Sequence, residues 1–186
     1  MLPVQPQRLR VSRTQLLIVD VQPRLLPKIH EHELVLDRAV RCVQAARVLG
    51  LPITISEQYT SALGQTTPAL REAAGDCPRF EKMTFSCWGA PELQRRLLDV
   101  ERQSVLLVGI ETHVCVLQTA LDLLEVGLRP VVLVDAVGSR FARDRDVALD
   151  RLRSAAVELN TVESAVFELL ERAGTDVFRR VLPILK

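Results

Sequence analysis

"SVLLVGIETHVCVLQTALDLLEVG", residues Ser104 to Gly127, sets a strand, a turn and a helix in a row. After its first residue the run Ser104–Ile110 is continuously apolar, as expected of a strand buried on both faces. The segment "VCVLQTALDLLEVG" then follows a helical pattern, with Gly127 as its stop. Cys115 stands where that pattern begins. Such a thiol is either core filling or a nucleophile resting on a helix N-terminus.

The alternation recurs on both sides. Upstream, "QLLIVDVQ" (Gln15 to Gln22) is a short apolar run that reads as a buried strand. The stretch Leu34 to Leu49 repeats apolar residues at helical intervals, with Gly50 as its stop and Pro52 just beyond. "PITISE" reads as a second strand. "QYTSALGQTTPALREAAGDCP" is polar and rich in turn formers, which predicts mostly loop with at most a short helical turn. "RFEKMTFS" is ambiguous between a short strand and a loop, and "PELQRRLLDV" opens a helix on a proline. Downstream come a strand "RPVVLVDAV", a helix "RDVALDRLRSAAV", a strand "VELNT" and two helical segments, "ESAVFELLERA" and "TDVFRRVLPILK". Strands alternating with helices of this length predict βαβ units. The expected fold is one α/β domain over residues 1–186: three αβα layers, doubly wound around a mostly parallel sheet of about six strands. In such sheets ligands gather beyond the carboxyl ends of the strands. No GxGxxG and no GxxxxGK[ST] is present, which removes the nucleotide-binding reading.

Composition narrows the function classes. The 186 residues are 48% hydrophobic and 25% charged, with mean hydropathy +0.15. No apolar run reaches the roughly 18 residues a membrane span needs. "MLPVQPQRLRVSRTQ" lacks an apolar h-region and a small-residue cleavage site, so it reads as a short leader, not a signal peptide. A formal charge of +1 gives no electrostatic reason to expect nucleic acid or an anionic membrane as partner. The cysteines Cys42, Cys77, Cys87 and Cys115 show no CxxC spacing, and His30, His32 and His113 share no metal-like spacing with them. Free thiols in a reducing compartment, the cytoplasm, are expected, with no metal and no cofactor.

Three strand-end residues are candidates for chemistry. Asp20 closes the first apolar run, where a buried carboxylate needs a cation, backbone donors or water. Lys82, between Phe80, Met83 and Phe85, either runs its ammonium out to solvent or turns into the cleft as a fixed charge. Cys115, at a helix start, is where the dipole favours a thiolate. Cys87 is the rival thiol, Cys42 fits a helix core or surface, and Cys77 falls in a loop. His113, in "ETH", reads first as a helix cap. Phe85 and Trp88 either line the pocket or cover it.

Together "LLIVDVQ", "EKMTFS" and "LLVGIETHVCV" resemble, in order and spacing, the isochorismatase-like cysteine hydrolases, which include nicotinamidases and N-carbamoylsarcosine amidases. "PITISEQYTSALGQTTPAL" looks like the branch called isochorismatase domain-containing proteins. The resemblance implies a triad in which Asp20 is the acid/base, Lys82 the lysine and Cys115 the nucleophile. It also implies a cis peptide between Ile110 and Glu111, and an oxyanion hole built from the backbone N–H groups of Glu111 and Cys115. A homo-oligomer is implied too, with the apolar "VFRRVLPIL" either a contact surface or a final core helix. Two departures matter. Where nicotinamidases place a metal-binding aspartate and histidines, this chain has "SEQYTSALGQ". Isochorismatases proper cleave a vinyl ether without a thiol, whereas Cys115 points to acyl chemistry on a small amide or related compound. The alternatives are a non-acyl, vinyl-ether type hydrolase and a non-catalytic thiol-sensing or interaction protein. Specificity is assigned to the loops around Gln22 to Pro27, Gln58 to Leu63 and Phe85 to Trp88, with Gln22, Tyr59, Phe85 and Trp88 as candidate pocket residues for a small-molecule substrate.

Overall fold

A computed structural model describes residues 8–186; the leader residues 1–7 lie outside the described part. Six strands form one sheet: β1 (Thr14–Val19), β2 (Ile53–Gln58), β3 (Arg79–Lys82), β4 (Ser104–Ile110), β5 (Arg129–Gly138) and β6 (Glu158–Asn160). Their order is β3-β2-β1-β4-β5-β6, and every pairing is parallel. All of β1 and β4 is buried, which explains why both read as unbroken apolar runs.

Successive side chains of these strands serve opposite faces. Leu16 and Ile18 of β1 join one core, together with α1 (His32–Leu49) and three further helices numbered below; Leu17 and Val19 join the other. The first face carries α1, α3 (Pro68–Ala74), α7 (Val162–Leu170) and α8 (Asp176–Leu185). The second carries α4 (Pro91–Asp99), α5 (Leu117–Glu125) and α6 (Ala142–Ser154). Each large aliphatic side chain taken fully out of water contributes roughly 1.5–3 kcal/mol, so the two cores supply the gross driving force for both helix layers. In α8, Val181 is fully buried while Val177 stays partly exposed, so that segment is a final core helix with a free outer side.

The polar stretch after β2 is more ordered than its composition suggests. It forms α2 (Thr60–Leu63) and α3 instead of mostly loop. Pro68 sits at the start of α3, and Leu70, Ala73 and Ala74 fall on one helical face that packs on α1. "RFEK" resolves as the edge strand β3, with only Lys82 buried.

The order reverses between β1 and β4, whose chains leave the sheet side by side on opposite routes. That is the switch point where a crevice opens in doubly wound sheets. Gly109 makes the approach close: a Cβ there would lie 2.1 Å from the Val19 carbonyl oxygen, and its φ of +122° is one an L side chain rarely adopts. Only glycine lets β4 run against the end of β1 at this point.

Candidate active site

Asp20 is the first residue past β1 and takes a left-handed conformation, φ 52°. Its N–H donates to the Ser56 carbonyl at 3.2 Å, and the Ser56 hydroxyl donates to Asp20 Oδ1 at 2.7 Å. The other carboxylate oxygen accepts from Lys82 Nζ at 2.7 Å. Both side chains of this ion pair are 0% exposed. The register of β2 and β3 sets Gln58 opposite Lys82, and the ammonium also donates to Gln58 Oε1 at 2.6 Å, the Phe85 carbonyl at 3.0 Å and the Thr84 carbonyl at 3.2 Å. Of the two options open to this lysine, the cleft is realised. Burial alone would lower the Lys82 pKa, but the charge of Asp20, helped by Cys87 and Cys115, outweighs it and the net shift is upward.

Cys115 belongs to a single π-helical turn, Thr112–Val116, that precedes α5. The Glu111 carbonyl accepts from both Val114 N–H and Val116 N–H, at 3.1 and 3.2 Å, which folds the turn tightly behind the strand end. The Ile110–Glu111 peptide bond is cis. Cys115 is buried and close enough to the Asp20 carboxylate to feel its charge. Burial pushes its thiol well above the ordinary range, the Asp20 charge acts in the same direction, and Lys82 offsets only part of this. The helix-start expectation of a favoured thiolate therefore gives way to a resting thiol beside a carboxylate: Cys115 is inside the turn, not at an exposed helix end, and a negative charge faces it.

The remaining thiols separate cleanly. Cys42 lies in the α1 core, its pKa raised to about 12 by burial and by the nearby charge of Asp135. Cys77 is partly exposed between α3 and β3. Cys87 is fully buried and close enough to Asp20 and Lys82 to feel both charges; burial first, then Asp20, raises it to about 11.

A model of the isochorismatase domain matches residues 14–164, a span that takes in Asp20, Lys82 and Cys115. The chain belongs to the isochorismatase family. It is similar to isochorismatase domain-containing protein 2A of Mus musculus, 41% identical over 172 residues that cover 92% of this chain and 82% of that one. It is also similar to the secreted isochorismatase effector Isc1 of Phytophthora sojae, 42% identical over 149 residues, 77% of this chain and 70% of the effector. Among solved structures, the MAR1 ribonuclease of Caenorhabditis elegans superposes with a TM-score of 0.91 at 36% identity, covering 96% of this chain and 92% of that one. The YcaC gene product of Escherichia coli, an octameric hydrolase of unknown specificity, superposes at 0.89 with 23% identity over 97% and 94% of the two chains. At that identity it speaks for the fold alone.

Within this isochorismatase-like hydrolase, the other sequence candidates take distinct places. Gln22 is fully buried, and its amide is occupied by Gln58 N–H, the Gln58 carbonyl and the Gly64 carbonyl. It pins the loop after β1 to the end of β2, with both amide protons engaged. Tyr59 and Phe85 are 47% and 55% exposed at the strand ends, and Trp88 is half-buried against the second core. His113 caps nothing: no side chain caps the turn, and its Nδ1 lies 2.9 Å from the Ser139 hydroxyl beyond β5. Arg140 pairs with Glu111 at 2.8 Å. Two contributors, Ser56 and Gln58, escaped the sequence reading. Their signal was the alternation in "ITISEQ", which puts Thr54, Ser56 and Gln58 on one side of a buried strand. Among the described residues no group of three or more His, Cys, Asp or Glu is placed to hold a metal ion, and no helix is long and apolar enough to cross a membrane.

Proposed function

We propose that this protein is a cysteine hydrolase acting on a small amide or related acyl compound through a thioester on Cys115, with Asp20 as acid/base and Lys82 as its fixed counter-charge. The observation that carries the reading is a buried thiol set against the carboxylate of a fully buried lysine–aspartate pair at the switch point of the sheet. Because the thiol rests protonated, ionisation is coupled to attack. Asp20 takes the S–H proton as sulfur bonds to the acyl carbon, and Lys82 holds Asp20 in place throughout. Backbone N–H groups of Glu111 and Cys115 are assigned to the developing oxyanion, a contribution of about 2.7–4 kcal/mol per donor in comparable sites. Protonated Asp20 then gives its proton to the leaving amine, and the C–N bond breaks to leave the thioester. Water loses a proton to Asp20 as its oxygen attacks the thioester carbonyl; the acid departs, and the Cys115 sulfur recovers that proton. No cofactor enters the scheme.

The fold relative from E. coli is an octamer, and we assign a homo-oligomer here as well, with the free outer side of α8 as a candidate contact. Four free thiols suit a reducing compartment such as the cytoplasm. The test is a panel of small amides, carbamoyl compounds, esters and isochorismate, with an RNA oligonucleotide added because the C. elegans relative is a ribonuclease, run on wild type and variants. Cys115→Ala and Asp20→Asn each abolish turnover, whereas Cys87→Ala keeps most of it. Full activity of Cys115→Ala on the wild-type substrate would sink the covalent mechanism and favour the non-acyl alternative.

A further inference from the structure

Asp20 is gripped at both ends by one residue. Ser56 pairs in register with Val19, accepts the Asp20 N–H on its carbonyl and donates its hydroxyl to Oδ1 at 2.7 Å. This grip holds a residue that has no glycine freedom in the left-handed region, φ 52°. The hydroxyl has one proton to give. The Ile18 carbonyl lies farther off, at 3.5 Å, so the proton belongs to Asp20.

Behind Ser56 stands the thiol that the mechanism leaves unused. The Cys87 N–H donates to Thr119 Oγ1 at 2.9 Å, which ties the loop after β3 to α5. Ser56, Cys87, Thr119 and Asp20 are all fully buried, so no water competes for these bonds.

We propose that Ser56 is a positioning residue for the reaction, holding Asp20 as an oriented carboxylate from both its backbone and its side chain. The catalytic consequence rests on the reading of Asp20 as proton acceptor. A donor aimed at the charged form favours that form. Losing it leaves Asp20 freer to turn away from the thiol.

Two measurements test this. In protein labelled with carbon-13 at the aspartate carboxyl, the Asp20 signal is assigned by its loss in Asp20→Asn. At pH 7 its chemical shift moves in Ser56→Ala, where a hydrogen bond to the carboxylate is lost, and returns toward the wild-type value in Ser56→Thr. With p-nitrophenyl acetate as probe, Ser56→Ala lowers kcat about tenfold with KM within about twofold, and Ser56→Thr recovers most of the loss. Circular dichroism establishes that each variant is folded. An unchanged Asp20 signal, or an unchanged kcat, in folded Ser56→Ala overturns the proposal and leaves the triad reading standing. Full ester hydrolysis by Asp20→Asn overturns the triad reading, and any catalytic role of Ser56 falls with it.

Discussion

Replacing Lys82 by methionine keeps most of the side-chain volume but removes the ammonium from a site that water does not reach. Asp20 would then be a carboxylate at 0% exposure facing only the Ser56 hydroxyl and the Cys115 thiol, while Gln58 Oε1 and the carbonyls of Thr84 and Phe85 lose their donor. Removing one partner of a buried ion pair costs about 3–5 kcal/mol. In a chain of this size each kcal/mol moves Tm by roughly 2–4 °C, so Lys82→Met should melt about 6–20 °C lower than wild type. Asp20→Asn should be destabilised for the converse reason. The double variant Asp20→Asn/Lys82→Met, with no buried charge left, should be more stable than the sum of the single losses predicts, by about 2–3 kcal/mol. Guanidinium unfolding followed by circular dichroism measures all four species. The folded protein also holds the Lys82 proton more tightly than the unfolded chain does. The pair's stabilisation is therefore fully present below the ordinary lysine pKa of about 10.4 and is lost as pH rises through the higher folded value. Wild type and Lys82→Met should converge in stability in that alkaline window. A loss under about 1 kcal/mol for Lys82→Met, or strict additivity in the cycle, would refute the buried, charged pair.

Cys42 is raised from 9.0 to about 12, so across that window the unfolded chain has released a proton the folded one retains. Stability then falls with rising pH by about 1.4 kcal/mol per unit from this thiol alone, and Cys42→Ser should flatten the slope by that amount in denaturation curves between pH 9 and 11. Gly109→Ala sets a methyl 2.1 Å from the Val19 carbonyl oxygen; a loss beyond about 4 kcal/mol is expected, visible as a Tm drop above 10 °C or failure to fold, and a near-native melt would contradict the close approach of β4 to β1.

The fold was legible in the sequence because both strand types of signal were strong. "LLIV" and "VLLVGI" are buried on both faces and so read as unbroken apolar runs, and α1 ends on Gly50 where its periodicity stops. The helix α3 was hidden because polar neighbours diluted a short apolar face that only contact with α1 makes worthwhile. Asp20 and Lys82 could be suspected singly, but their meeting spans 62 residues of sequence and is fixed by strand order and register, which local pattern does not encode. Ser56 and Gln58 were invisible as partners for the same reason. The protonation of Cys115 was misjudged because the helix start is local, whereas the facing carboxylate comes from β1, on the neighbouring strand.

An ammonium carries three protons, and four acceptors already surround that of Lys82. Nothing is left over for an incoming molecule. Lys82 thus works as a sealed source of positive potential, felt by whatever is bound and grasping none of it. In the proposed mechanism the reacting group then takes its donors from the main chain, and recognition falls to the loops beyond β2 and β3, where Tyr59 and Phe85 reach solvent. On that reading a change at the rim alters the choice of substrate without retuning the charges beneath it. An arginine at this position, longer and planar, would break that seal.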